Sequence, residues 1–250
     1  MKRIVVALAL ALAACAPPQA PAPRIEEFVT PPQHSTFALC TSDAAWCVKK
    51  TDDVDGFIYS FHGRDVATIR DEEGEHSLWK IVRMPRADGA EDALVGDTNT
   101  EHAAYSGGGG SATHVTLYAL SSSAPAHTPP RAVLTFPLSA ALDIRACFSE
   151  DDAQARRDAC SDQYNFTGDL ALDTSTPSAP PRLVLTTEAT TYPGRRSRSE
   201  DSSAAPPLGP DDLKTVRDER CSYRRVFTAN AQGIYMPDQP LPDCSDYLSP

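Results

Sequence analysis

The stretch FIYSFHGRDVATI, residues 57–69, decides the fold class. Phe57, Tyr59 and Phe61 stand at every second position, so their side chains share one face of an extended strand. His62-Gly63 interrupts the run and an apolar run to Ile69 resumes it, which reads as two antiparallel strands rather than a helix. The same pattern recurs outward from here. Further strands are predicted at 78–83, 115–120, 132–136, 164–172, 182–187, 223–228 and 234–236. Gly, Pro, Asp and Asn clusters bound them, and Gly74 and Gly233 stand where hairpin turns need positive φ. Helical signals are confined to 139–142, 151–157 and 209–217. The expected class is all-β, with antiparallel sheets forming a sandwich or a barrel over residues 37–250.

Two segments resemble each other. Tyr59-Ser-Phe61-His-Gly63 and Tyr164-Asn-Phe166-Thr-Gly168 lie 105 residues apart, and the same offset carries Tyr118 onto Tyr223. That coincidence suggests a tandem duplication of a β module of about 105 residues, with repeats at 37–137 and 143–250. The paired Tyr and Phe residues are expected in the core. Residues 84–114, ending near four glycines, and residues 194–210, rich in Ser, Pro and Arg, read as surface excursions.

Charge and motifs narrow the function classes. The 250 residues carry 34 Asp+Glu against 23 Lys+Arg, a net charge of −11, with no basic block in the body of the chain. Phosphate backbones need such cations, so nucleic acid is not an expected partner. Gly107–Gly110 lacks the Lys-Ser/Thr of a phosphate loop and reads as a flexible tip. Asp52, Asp53 and Asp55 begin like a calcium loop, but that spacing puts Thr51 first and His62 twelfth, where a bidentate Glu belongs, so a turn is expected. Glu72, Glu73 and Glu75 read as a solvated hairpin tip. His62, His76, His102 and His114 can meet across hairpins as metal ligands, although separate surface histidines are the simpler expectation. There is no G-x-S-x-G, no C-x-x-C and no Cys-His zinc spacing. Asn165-Phe166-Thr167 matches a glycosylation sequon.

The first fifteen residues read MKRIVVALALALAAC. Two basic residues precede an apolar run of about 11, too short for the roughly 20 needed to span a bilayer. Leu12-Ala13-Ala14-Cys15 resembles the bacterial lipobox. That resemblance implies a signal peptide over 1–14, a diacylglycerol thioether on Cys15, and Cys15 as the mature N-terminus. Ala16 replaces the Asp that tends to retain such lipoproteins in the inner membrane, so the implied address is the periplasmic face of the outer membrane, anchored through acyl chains. Residues 15–36, beginning Cys15-Ala-Pro-Pro-Gln-Ala-Pro-Ala-Pro, read as a Pro-rich tether.

With Cys15 committed to lipid, Cys40, Cys47, Cys147, Cys160, Cys221 and Cys244 remain. An even set in an oxidising compartment predicts three disulfides, and chain proximity favours Cys40–Cys47, Cys147–Cys160 and Cys221–Cys244 among 15 pairings. No catalytic constellation stands out. The expected role is binding or structural, directed at another envelope protein or a cell-wall component, with no cofactor and no metal. The alternatives are an envelope hydrolase, assembled by residues 84–114 around His102 or His114, and an inhibitor of a wall-degrading enzyme, which would present one rigid projecting loop.

Overall fold

In the computed structural model, which describes residues 21–31, 38–51, 56–70, 75–126, 128–175, 178–194, 196, 198 and 205–250, the 57–69 stretch is a hairpin. Strands are numbered along the chain. The hairpin joins β4 (Gly56–Phe61) to β5 (Arg64–Arg70), and β2 (Ala38–Cys40) and β3 (Trp46–Thr51) complete a small antiparallel sheet in the order β2-β3-β4-β5. Period-two patterning makes this sheet one-sided: Trp46, Val48, Phe57, Tyr59, Val66 and Ile69 are all buried in one cluster. That cluster also holds Ile81, Ala93, Val95 and Leu120, so the small sheet packs face to face on a larger one.

The larger sheet contains β1 (Arg24–Glu26), β6 (Glu75–Pro85), β7 (Glu91–Tyr105), β8 (Gly108–Ser121), β9 (Arg131–Arg145), β10 (Ser161–Leu172), β11 (Leu183–Tyr192), β12 (Val216–Arg217), β13 (Arg224–Ala229) and β14 (Tyr235–Pro237). The order is β1-β6-β7-β8-β9-β10-β11-β13-β14, with β12 also pairing β11. Six consecutive strands form a meander, the arrangement short turns favour. β6 is buried on both faces: Ile81 points to the small sheet, while its neighbour Val82 joins a second cluster with Leu117, Phe136, Leu183 and Phe227. The sheet folds over on itself, bringing β1 against β10 and β14 against β9, without closing into a barrel. A third cluster gathers Leu142, Tyr164, Phe166, Cys221, Cys244 and Tyr247. Its cover is the short helix α2 (Ser245–Leu248); the other helix, α1 (Glu150–Ala155), sits between β9 and β10.

An ion network ties the N-terminal strand and both sheets together. Arg83, 3% exposed, donates to Glu91 through Nε at 2.5 Å and Nη2 at 2.9 Å, and through Nη1 to Asp43 at 2.8 Å and Glu26 at 3.4 Å. Trp46 Nε1–H donates to Glu91 Oε1 at 2.7 Å, and Arg24 pairs with Glu26. Partial desolvation works to raise the Asp43 pKa, but the Arg83 guanidinium, the Thr41 hydroxyl and the Ala45 amide overcome it and hold the carboxyl well below the usual range.

Several expectations are corrected. Residues 24–26, placed in the tether, pair with β6 because Ile25 has an apolar cluster to enter and Arg24 and Glu26 have ionic partners. Residues 139–142 lie inside β9, not in a helix, and 209–217 reduces to one 3-10 turn, Pro210–Asp212, followed by β12. Residues 84–114 are not an excursion: most of them lie in β7 and β8, whose register runs unbroken from Asp92↔Ser121 to Tyr105↔Gly108. The glycine run is not a flexible tip, since Gly108, Gly109 and Gly110 are strand residues. The two look-alike segments take different courses: Tyr59–Gly63 turns from β4 into β5, whereas Tyr164–Gly168 runs straight through β10. All four of their aromatic side chains do reach the apolar clusters. Gly233 has the expected positive φ of 74°. Cys15 and the rest of 1–20, Asp52–Asp55, and Glu72, Glu73 and Gly74 lie outside the described residues.

Candidate binding surface

The β7–β8 hairpin and the stapled loop between β9 and β10 meet at one end of the large sheet. Gly108 pairs with Ile144, and the Arg145 N–H donates to the Gly107 carbonyl at 2.7 Å. The Arg145 guanidinium lies 5.0 Å from the centre of the Phe148 ring, within cation-π range. Phe148 is 66% exposed and Tyr105, at the end of β7, 50% exposed. Single exposed aromatic side chains are common on protein surfaces, so exposure alone does not single out Phe148; the backbone that carries it does.

Phe148 is exposed on a loop that is itself firmly held. Cys147–Cys160 closes the loop with a Cα separation of 4.9 Å, and the Ala146 N–H donates to the Cys160 carbonyl at 2.9 Å. Ser149 caps α1, its hydroxyl accepting from the Asp152 N–H at 3.1 Å. The Asp152 carboxylate accepts the Phe148 N–H at 2.9 Å, and that amide, with the Ser149 groups, lowers the Asp152 pKa. Beneath the loop, Arg156 is 4% exposed, pairs with Asp162 and donates through Nε to the Ala159 carbonyl at 2.9 Å. The backbone that presents Phe148 is thus fixed at both ends and from below.

A shallow polar recess adjoins this end, floored by Gly109, Gly110 and Ala141 and edged by Asp143, Gln163 and Asn165. Asp143 accepts from Ser161 Oγ at 2.6 Å and from Gln163 Nε2 at 3.4 Å. Exposed Glu150 and Asp151 follow Phe148 in the first turn of α1, exposed Asp143 and Arg145 precede it, and exposed Arg157 lies in the same stapled loop.

The three disulfides pair as chain proximity suggested: Cys40–Cys47, Cys147–Cys160 and Cys221–Cys244. The four histidines do not converge on one point: His102 is 61% exposed and 3.4 Å from Glu75, while the His76 side chain, 7% exposed, is bonded to Asp97 rather than standing free on the surface. Among the described residues no three His, Cys, Asp or Glu side chains surround a common point. No helix among them is long and apolar enough to cross a membrane. A roomier cleft, about 500 Å3, lies between Pro21, Pro23, Met84, Pro85, Pro180 and Pro181, but its charged groups, Arg86 and Asp92, are 3.8 Å apart and answer each other. Sequence reasoning missed Tyr105, Arg145 and Phe148. The available signal was Phe148 itself, a lone aromatic inside an otherwise polar cysteine-bounded segment.

Comparison with known proteins finds no match: no family model fits the sequence, and no curated protein and no solved structure is similar to it.

Proposed function

We propose that this is a lipid-anchored protein of the periplasmic face of the outer membrane, tethered through Cys15, whose body recognises another envelope protein through the Tyr105–Arg145–Phe148 end. One observation carries the reading: Phe148 is two-thirds exposed on a backbone pinned by a disulfide, a capped helix and a buried ion pair. Preorganisation lowers the entropy cost of docking, and burying one such ring yields about 1.5–3 kcal/mol. The acidic first turn of α1 beside Phe148 favours a partner with an apolar pocket edged by Lys or Arg.

Co-isolation from solubilised envelopes tests this. The partner recovered with the wild-type chain is expected to be lost with F148A and with raised salt, whereas equal recovery with F148A refutes the docking end. Intact mass of the purified protein tests the anchor: a diacylglyceryl-modified Cys15 terminus is expected, and an unmodified terminus elsewhere refutes it. The pinned loop also favours a second reading, inhibition of a wall-degrading enzyme by insertion of Phe148 into its cleft. In that case the recovered partner hydrolyses peptidoglycan and the wild-type chain, not F148A, slows it.

A further inference from the structure

The register of three adjacent strands sets His76 of β6, Asn99 of β7 and His114 of β8 side by side on one face of the large sheet. Asp97, two residues before Asn99, shares that face. His76 Nδ1 lies 2.8 Å from Asp97 Oδ2, and the two side chains are 7% and 5% exposed. With Nδ1–H donating to the carboxylate, the lone pair resides on Nε2, which is buried and has no hydrogen-bond partner. A buried ring nitrogen is normally satisfied, so this one calls for an occupant. An imidazole whose far nitrogen is held by a carboxylate is the state in which histidine ligates metals.

We propose that His76 Nε2 and His114 bind one divalent transition ion of the zinc, copper or nickel class, with Asp97 orienting the His76 ring and water completing the coordination. Neutral nitrogen donors suit these ions and not magnesium or calcium. In the register Asn99 of β7 stands between the two histidines, so His76 and His114 flank it on the strands to either side. Leu78 and Tyr118, packed against the first apolar cluster, lie on the same sheet face and supply a low-polarity wall. His102 serves as a control: it is exposed and paired with Glu75 across β6 and β7. The site is independent of the Phe148 end, so either proposal can fail without the other.

The test is titration of the full-length, tag-free chain with Zn2+ in competition with a chromophoric chelator, together with the Cu2+ electron paramagnetic resonance spectrum. One ion per chain is expected. H76Q and H114Q should each weaken binding at least ~10-fold and D97N about 10–100-fold, while H102Q leaves it unchanged. Should the core variants fail to fold, the wild-type Cu2+ spectrum decides, because two imidazole nitrogens must appear in its hyperfine structure. Absence of stoichiometric binding, binding that survives loss of both His76 and His114, or a copper spectrum without two nitrogens overturns the proposal.

Discussion

Arg83 holds its charge at 3% exposure among Glu91, Asp43 and Glu26, and Glu91 is itself 9% exposed. Removing one member of such a set strands the other: R83A should lower the unfolding free energy by about 3–5 kcal/mol, as read from denaturant titration. R83K should recover part of that loss, because it keeps the charge but not the two-pronged contact with Glu91. Asp43 makes the network sensitive to acid. Its folded pKa lies below its unfolded value of about 3.9, so the unfolded chain takes up the proton first as pH falls. Its contribution is complete above about pH 5 and is lost progressively as pH falls from there through the depressed folded value. Denaturation midpoints of the wild type should therefore fall more steeply between pH 4 and 3 than those of D43N. Phe148 behaves oppositely, since it touches little of its own chain: F148A should shift stability by no more than about 0.5 kcal/mol. A large loss would mean that the ring is structural.

The strands legible in the sequence were those with clean period two, such as β4 and β10. β7 was not, because its interior reads as a loop: Gly96 sits where Trp79 lies over the backbone, a Cβ there meeting the indole at 2.7 Å, and the polar Asp97 and Thr98 find partners in His76 and Ser77. Only the paired strand makes those residues strand-like. The glycine run misled for the same reason. Gly108 has φ of 147°, and a Cβ on it would stand 2.2 Å from the Asp143 carbonyl oxygen of β9. G108A should cost about 2–3 kcal/mol in thermal or chemical unfolding and loosen the join between the β7–β8 hairpin and Arg145. The disulfides were legible because six cysteines fell into three near pairs, and a near pair leaves little backbone to misplace. Converting Cys147 and Cys160 to Ser should cost about 3 kcal/mol in the chain-entropy description and raise amide exchange across 147–160.

For the whole molecule, alternation and turn residues disclosed an all-β antiparallel architecture, but not that one sheet would fold over on itself while a smaller one packs on its outside. That arrangement depends on β6 being apolar on both faces at Ile81 and Val82 and on a buried arginine joining three segments distant in sequence. Function was less legible, because a docking surface is made by exposure: Phe148 reads as an ordinary loop residue until the backbone beneath it is seen to be fixed. The net charge of −11 gains meaning from the same end, where exposed Glu150 and Asp151 follow Phe148 and predict association that weakens with salt. The most direct measurement is photocrosslinking in intact cells with a benzophenone side chain at position 148, compared with the same probe at Met236, an apolar residue of similar exposure on the β14 edge. A discrete adduct from 148, absent from 236 and abolished by conversion of Cys147 and Cys160 to Ser, is the expected result. No adduct at 148, or the same adducts from both positions, would contradict recognition through this end.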